Sequence, residues 1–166
     1  MHPLFHPLFV DYCSYFNGNE DYFECHEVLE EYWKEIAPGE KQHPLVGYVQ
    51  LATGLYHWRR GNFVGAERIL QKAMAIFEKS DPQPFYEYIN KEYLLEHMHI
   101  SLQRIHGAQH FLAFKLPITD VPLQHLVSQK ITSLPSLSTQ FIMNKHMLRD
   151  RSDILAARDS KKRNRH

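Results

Sequence analysis

A punctuated helical rhythm is what most limits the fold. Through residue 105, apolar side chains recur every three or four positions between Gly and Pro breaks, and almost nothing alternates as a strand would. The first such segment is Asp21 to Ile36, DYFECHEVLEEYWKEI. Phe23, His26, Glu30 and Trp33 share one face, while Glu20, Glu24, Glu27, Glu31, Lys34 and Glu35 fall mostly on the other. Asn19 is the expected cap, acidic residues suit the positive end of the helix dipole, and Pro38-Gly39 ends the segment. A second helix is expected from after Pro44 to about Arg60, closed by Gly61-Asn62 in a left-handed turn. A third runs from about Val64 to Lys79 and stops at Asp81-Pro82-Gln83-Pro84. Phe85 to Ile105 predicts a short helix and then a longer one.

The expected fold is therefore all-α: a bundle of packed antiparallel helical hairpins over residues 1–108, followed by an irregular extension over 109–144 and a basic tail over 145–166. Prolines at 117 and 122 make the start of the extension a crossing segment, Asp120 to Ile131 is one short helix, and another is expected near Ser152 to Arg158. With 43% hydrophobic and 13% aromatic residues among 166, there is enough apolar material for a core. Nineteen Lys+Arg balance nineteen Asp+Glu, which excludes a uniformly basic nucleic-acid binder. Cys13 and Cys25 cannot form a disulfide framework, no window is apolar enough for a membrane span, and MHPLFHPLFVDY does not read as a signal peptide. A cytoplasmic protein is expected.

Neutrality hides a polarity. Residues 1–100 hold 15 acids and 8 bases, whereas residues 101–166 hold 4 acids and 11 bases. Eight of those bases lie from Lys145 onward, so this tail is a candidate docking element for an acidic protein surface or nucleic acid. Twelve histidines add pH-dependent charge; His97, His99, His106 and His110 cluster in sequence without a convincing ligand partner. Trp58, Arg59 and Arg60 sit where cations suit a helix C-terminus, and Cys25 diverges too far from His26 around a helix to be activated by it.

Aligning Asp21 with Asn62 gives a second copy at an offset of 41 residues, with Cys25 meeting Ala66 and Leu29 meeting Leu70. Residues 51–78 resemble one tetratricopeptide unit, with Gly54 as the small residue of its first helix, Gly61 at the turn, and Ala66 and Ala73 on the second helix. The spacing departs from the ~34-residue tetratricopeptide period and no third copy follows, so this is hairpin packing and not a superhelical array.

The first hairpin carries the chemistry. With its loop near residue 40, positions whose numbers sum to ~80 lie opposite in an antiparallel pair, which sets His26 against Gly54, Glu30 against Gln50 and Trp33 against Gly47. Gly47, Gln50, Gly54 and His57 form one stripe. The expected pocket thus holds Gln50, Trp33, Gly54 and Glu27 around His26, Glu30 and His57. An i, i+4 His/Glu pair plus a histidine from the next helix can ligate a divalent metal, zinc first, leaving a position for a hydrolytic water. Glu27 joins the site only if the helix is rotated. The competing reading is a buried His/Glu/Gln hydrogen-bond network in a non-enzymatic module that binds a peptide, protein or nucleic acid.

YFECHEVLEEYW followed by GYVQLATGLYHWRRGNFVGAERIL resembles the bacterial and archaeal family known as domain of unknown function 309. Its His, three residues, Glu, two residues, Trp/Tyr motif is matched by His26, Glu30 and Trp33. The resemblance covers roughly residues 15–80 and implies a small bundle of helical hairpins with a metal-binding role for the motif. Cys25 stands where the family more often has Ala. No activity comes with the resemblance.

Overall fold

The structure is a computed structural model and describes residues 1–79, 82–136 and 139–145. All its regular elements are helical. A single-turn 3-10 helix at Pro3–Phe5 leads into α1 (Pro7–Asn17), α2 (Tyr22–Ile36), α3 (Pro44–Arg59) and α4 (Phe63–Glu78). A second 3-10 turn, Pro84–Tyr86, precedes α5 (Lys91–His106), α6 (Val121–Thr132) and the short α7 (Thr139–Met143). The helix expected near Ser152 to Arg158 lies outside the described residues.

Each helix rests on its sequence neighbour from α1 to α5, and α6 returns to pack on α1. α3 is therefore the central helix, held between α2 and α4. It buries residues right round its circumference, from Leu45, Tyr48 and Leu51 to Ala52, Leu55 and Trp58. Between α5 and α6 the chain runs extended, tied to the residues just after the second 3-10 turn by an isolated Ile89–Ile118 bridge. Asn17 holds the same segment by exchanging hydrogen bonds with the Leu116 backbone: the amide of Leu116 donates to its Oδ1 at 2.7 Å, and its Nδ2 donates to the carbonyl at 3.2 Å.

Two expectations are corrected. Residues 7–17, which precede the first helix expected from the sequence, form α1: Pro7 occupies its first turn, where a missing N–H costs nothing, and His6 caps it. Its Phe9, Tyr12, Cys13 and Phe16 are fully buried. The cap of α2 is Asp21, not Asn19; Asp21 Oδ1 accepts from the Glu24 amide at 3.2 Å, while Asn19 Oδ1 receives only the Asp21 amide at 3.3 Å. Gly61 takes the expected left-handed turn, with φ +84°.

Candidate functional site

α2 turns Tyr22, Cys25, Leu29 and Tyr32 into the core. Phe23 and His26, one turn apart, then flank that buried stripe toward α3. On α3 the spacing of Thr53, Tyr56 and His57 puts these three on the side facing α2. Together Tyr22, Phe23, His26, Thr53, Tyr56 and His57 line a cleft of about 140 Å³. The Phe23 and Tyr56 rings are 5.9 Å apart across it. The Thr53 hydroxyl is used inside its own helix, donating to the Val49 carbonyl at 2.9 Å.

The polar groups collect along one side. His26 Nε2 lies 3.1 Å from Glu30 Oε2 and its Nδ1 lies 3.3 Å from Glu27 Oε1. Glu30 also pairs with Lys34 at 3.0 Å. Beside His26, Glu27, Glu30, Glu31 and Lys34 outline a wider, shallow depression on the outer surface of α2. His57 Nδ1 is 3.4 Å from Asn62 Nδ2, and Asn62 in turn caps α4 by accepting from the Gly65 amide at 3.1 Å.

Of the residues assigned to the site from sequence, His26 and His57 share the cleft, Glu27 is within hydrogen-bond distance of His26 and Glu30 within ion-pair distance of it. Gln50, Trp33 and Gly54 do not line it. Gly54 faces α4: a Cβ there would lie 2.5 Å from Leu70 Cγ. Gly47 likewise meets Phe77 of α4, where a Cβ would be 2.8 Å from Cε1. These small residues make room for α4, as the tetratricopeptide-like reading of Gly54 requires, and not for a pocket beside α2. Trp33 instead closes the α2–α3 loop by donating from Nε1 to the Glu40 carbonyl at 3.1 Å. Gln50 is half-buried, with its Oε1 enclosed and without a hydrogen-bond partner.

The donor set fits a hydrogen-bond network better than a metal centre. Both ring nitrogens of His26 face carboxylates of its own helix, and Glu30 is shared with Lys34. Among the described residues, no three His, Cys, Asp or Glu side chains are grouped so as to hold a metal ion. Cys25 is fully buried, its thiol donates to the Tyr12 carbonyl, and burial followed by the charge of Asp21 pushes its pKa well up, away from thiolate chemistry.

The neighbouring cations are absorbed by packing. The Arg59 guanidinium lies 4.7 Å from the centre of the Tyr22 ring and 5.7 Å from that of Phe111, and its Nη1 donates to the Glu20 carbonyl at 2.9 Å. Arg60 covers Tyr56, so the aromatic wall of the cleft is backed by charge. Tyr22, Phe23, Thr53 and Tyr56 were not singled out as site residues from sequence. Their signal was present in the one-turn spacing of Phe23 with His26 and of Thr53 with Tyr56 and His57.

The family model for Domain of unknown function (DUF309) matches residues 9–69, a span that takes in most of α1, all of α2 and α3, and hence every residue of the cleft. A curated relative, Uncharacterized protein YpuF of Bacillus subtilis (strain 168), is 36% identical over an alignment of 163 positions that covers 94% of this chain and 94% of the relative. The chain belongs to the DUF309 family. No solved structure matches it. Among the described residues, no helix of this DUF309 protein is long and apolar enough to cross a membrane.

Proposed function

We propose that this DUF309 protein is a polypeptide-recognition module whose α2–α3 cleft receives one apolar side chain of a partner. The observation that carries the reading is the cleft itself: about 140 Å³, aromatic-walled and next to an acidic shelf. A space of that size suits a side chain and not an extended cofactor. His26 belongs to both surfaces, lining the cleft while contacting Glu27 and Glu30, so anchor and charge are read side by side. The partner segment is therefore an aliphatic or aromatic anchor flanked by Lys or Arg.

A peptide array with a fixed Leu, Phe or Met anchor and systematically varied flanks tests this. Anchors with basic flanks should be retained, and Thr53→Leu, which fills the cleft, should abolish retention while leaving thermal unfolding within a few degrees of wild type. Equal retention of acidic and basic flanks, or undiminished binding by Thr53→Leu, would sink the proposal.

A further inference from the structure

Three histidines outside the cleft share one unusual task. The sequence His-Pro-Leu occurs at residues 2–4, 6–8 and 43–45, and each copy begins a helix. In all three, the imidazole Nδ1 accepts a hydrogen bond from the leucine amide two residues on: Leu4 to His2 at 3.2 Å, Leu8 to His6 at 3.1 Å, Leu45 to His43 at 3.0 Å. This is the role that Asn, Asp, Ser or Thr ordinarily plays at a helix start. Imidazole differs from those caps in one respect. It accepts at Nδ1 only while neutral, and once protonated it presents a donor and a positive charge to a helix N-terminus that repels both.

The three caps converge although they are far apart in sequence. His2 stacks on Tyr88 with ring centres 4.0 Å apart, and its Nε2 meets Glu87 at 2.9 Å. His43 meets Phe85 edge-on at 4.7 Å. His6 stacks on Tyr32 at 4.1 Å, and the Tyr32 ring lies 6.5 Å from Phe85 while its hydroxyl donates to the Pro3 carbonyl at 2.8 Å. All three imidazoles therefore grip one joint, where the N-terminal segment, the α2–α3 loop and the turn at residues 84–88 meet.

We infer that this histidine trio is a pH-sensitive clasp: at neutral pH it fastens residues 2–8 and the 84–88 turn to the bundle, and protonation of the caps in mild acid releases them. The charges facing the trio are acidic, Glu87 at His2, Glu35 at His6 and Glu40 near His43, with Asp120 close to Tyr88 and the Asp11–Lys130 pair between α1 and α6. Glu87 and Glu35 lie at the Nε2 side of His2 and His6, so the proton that acid adds at Nδ1 faces the capped helix amide. Release uncovers Leu4, which is fully buried in the closed form, and the outer face of Tyr32. Burial holds the pKa of His43 down, which agrees with a cap kept neutral in the folded protein.

The test is hydrogen exchange of the full chain at pH 7.5 and pH 5.0, compared as protection factors corrected for intrinsic exchange. Protection of residues 2–10 and 84–90 should fall by about fivefold or more per lost cap, while α3 and α4 stay protected. The triple variant His2→Asn, His6→Asn, His43→Asn keeps an acceptor at each cap but removes the titration, so its protection there should not change with pH. His99→Gln with His106→Gln should behave as wild type. Should the triple variant not fold, imidazole 15N spectra of the wild type decide: the clasp requires all three rings to carry their proton on Nε2 at pH 7.5. Proton occupancy of Nδ1 at that pH, pH-independent protection in the wild type, or unchanged acid opening in the triple variant would overturn the inference.

Discussion

Gly54 has room for a hydrogen and little else. An added Cβ would approach Leu70 Cγ at 2.5 Å and Cδ2 at 2.7 Å, and Leu70 is fully buried with nowhere to turn. Gly54→Ala should therefore destabilise the protein by about 1 kcal/mol, the middle of the ~1–3 kcal/mol overpacking range less the ~1 kcal/mol that alanine gains as a helix former. Urea denaturation measures it, and a neutral or stabilising outcome would mean that the α3–α4 contact is looser than described. His43 carries a second expectation at this scale. Its folded pKa lies below the ordinary ~6.5 because of burial, so below that pH the unfolded chain binds more protons than the folded one. Its contribution is full above pH ~6.5 and declines as pH falls through the folded value. A plot of melting temperature against pH should flatten in that window for His43→Asn relative to wild type.

At the scale of elements, the stretches bounded by Pro and Gly were legible because breakers act locally: α2 through α5 lie within a few residues of their expected limits. α1 was not, because PLFVDYCSYFN has an apolar or aromatic residue at nearly every turn and a single charge, Asp11, which leaves no polar face to mark a helical period. Its importance is nonetheless large. Phe16 is fully buried with its ring centre 5.3 Å from that of Tyr22 and 5.7 Å from that of Phe114, so it joins α1 to α2 and to the extended segment. Phe16→Ala should cost about 3–5 kcal/mol in chemical denaturation, a large part of the total stability of a domain this size. The phase of α3 was hidden for the opposite reason. A helix clasped on both sides is apolar all round, so pairing arithmetic could bring His26 and His57 near each other but could not tell that Gly47 and Gly54 point to α4 while Thr53 and Tyr56 face α2. The caps by His2, His6 and His43 went unread because histidine is scored as a titrating or ligating residue before it is considered as an acceptor for a helix start.

For the whole molecule, the opposed charges of its two parts are used as clamps. Lys130 of α6 pairs with Asp11 of α1 at 3.3 Å, and Lys145 binds Asp21 at 2.7 Å and Glu24 at 3.0 Å at the start of α2. Burial opposes the charge on Lys145, yet its hydrogen bonds to Asp21 and Glu24 bring the net pKa up, so Lys145 itself is anchored on the acidic body at a buried acid, the rest of the basic tail lying outside the described residues. The polarity legible in composition thus becomes a set of contacts between distant parts of the chain, and it leaves α2 acidic along the shelf by the cleft. Among the described residues that shelf groups no three side chains able to hold a metal ion, so a global measurement separates the two functional readings. A metal bound only by the folded state at a hundred times its dissociation constant adds about 2.7 kcal/mol, enough to move the melting temperature by several degrees. Zinc, manganese or nickel added to untagged protein should leave the melting temperature within about a degree of its metal-free value, because ligation by His26 would first have to displace its contacts with Glu27 and Glu30. A shift of several degrees that disappears in His26→Ala would instead return His26, Glu30 and His57 to the role of a metal site, and would require the α2–α3 cleft to close around the ion.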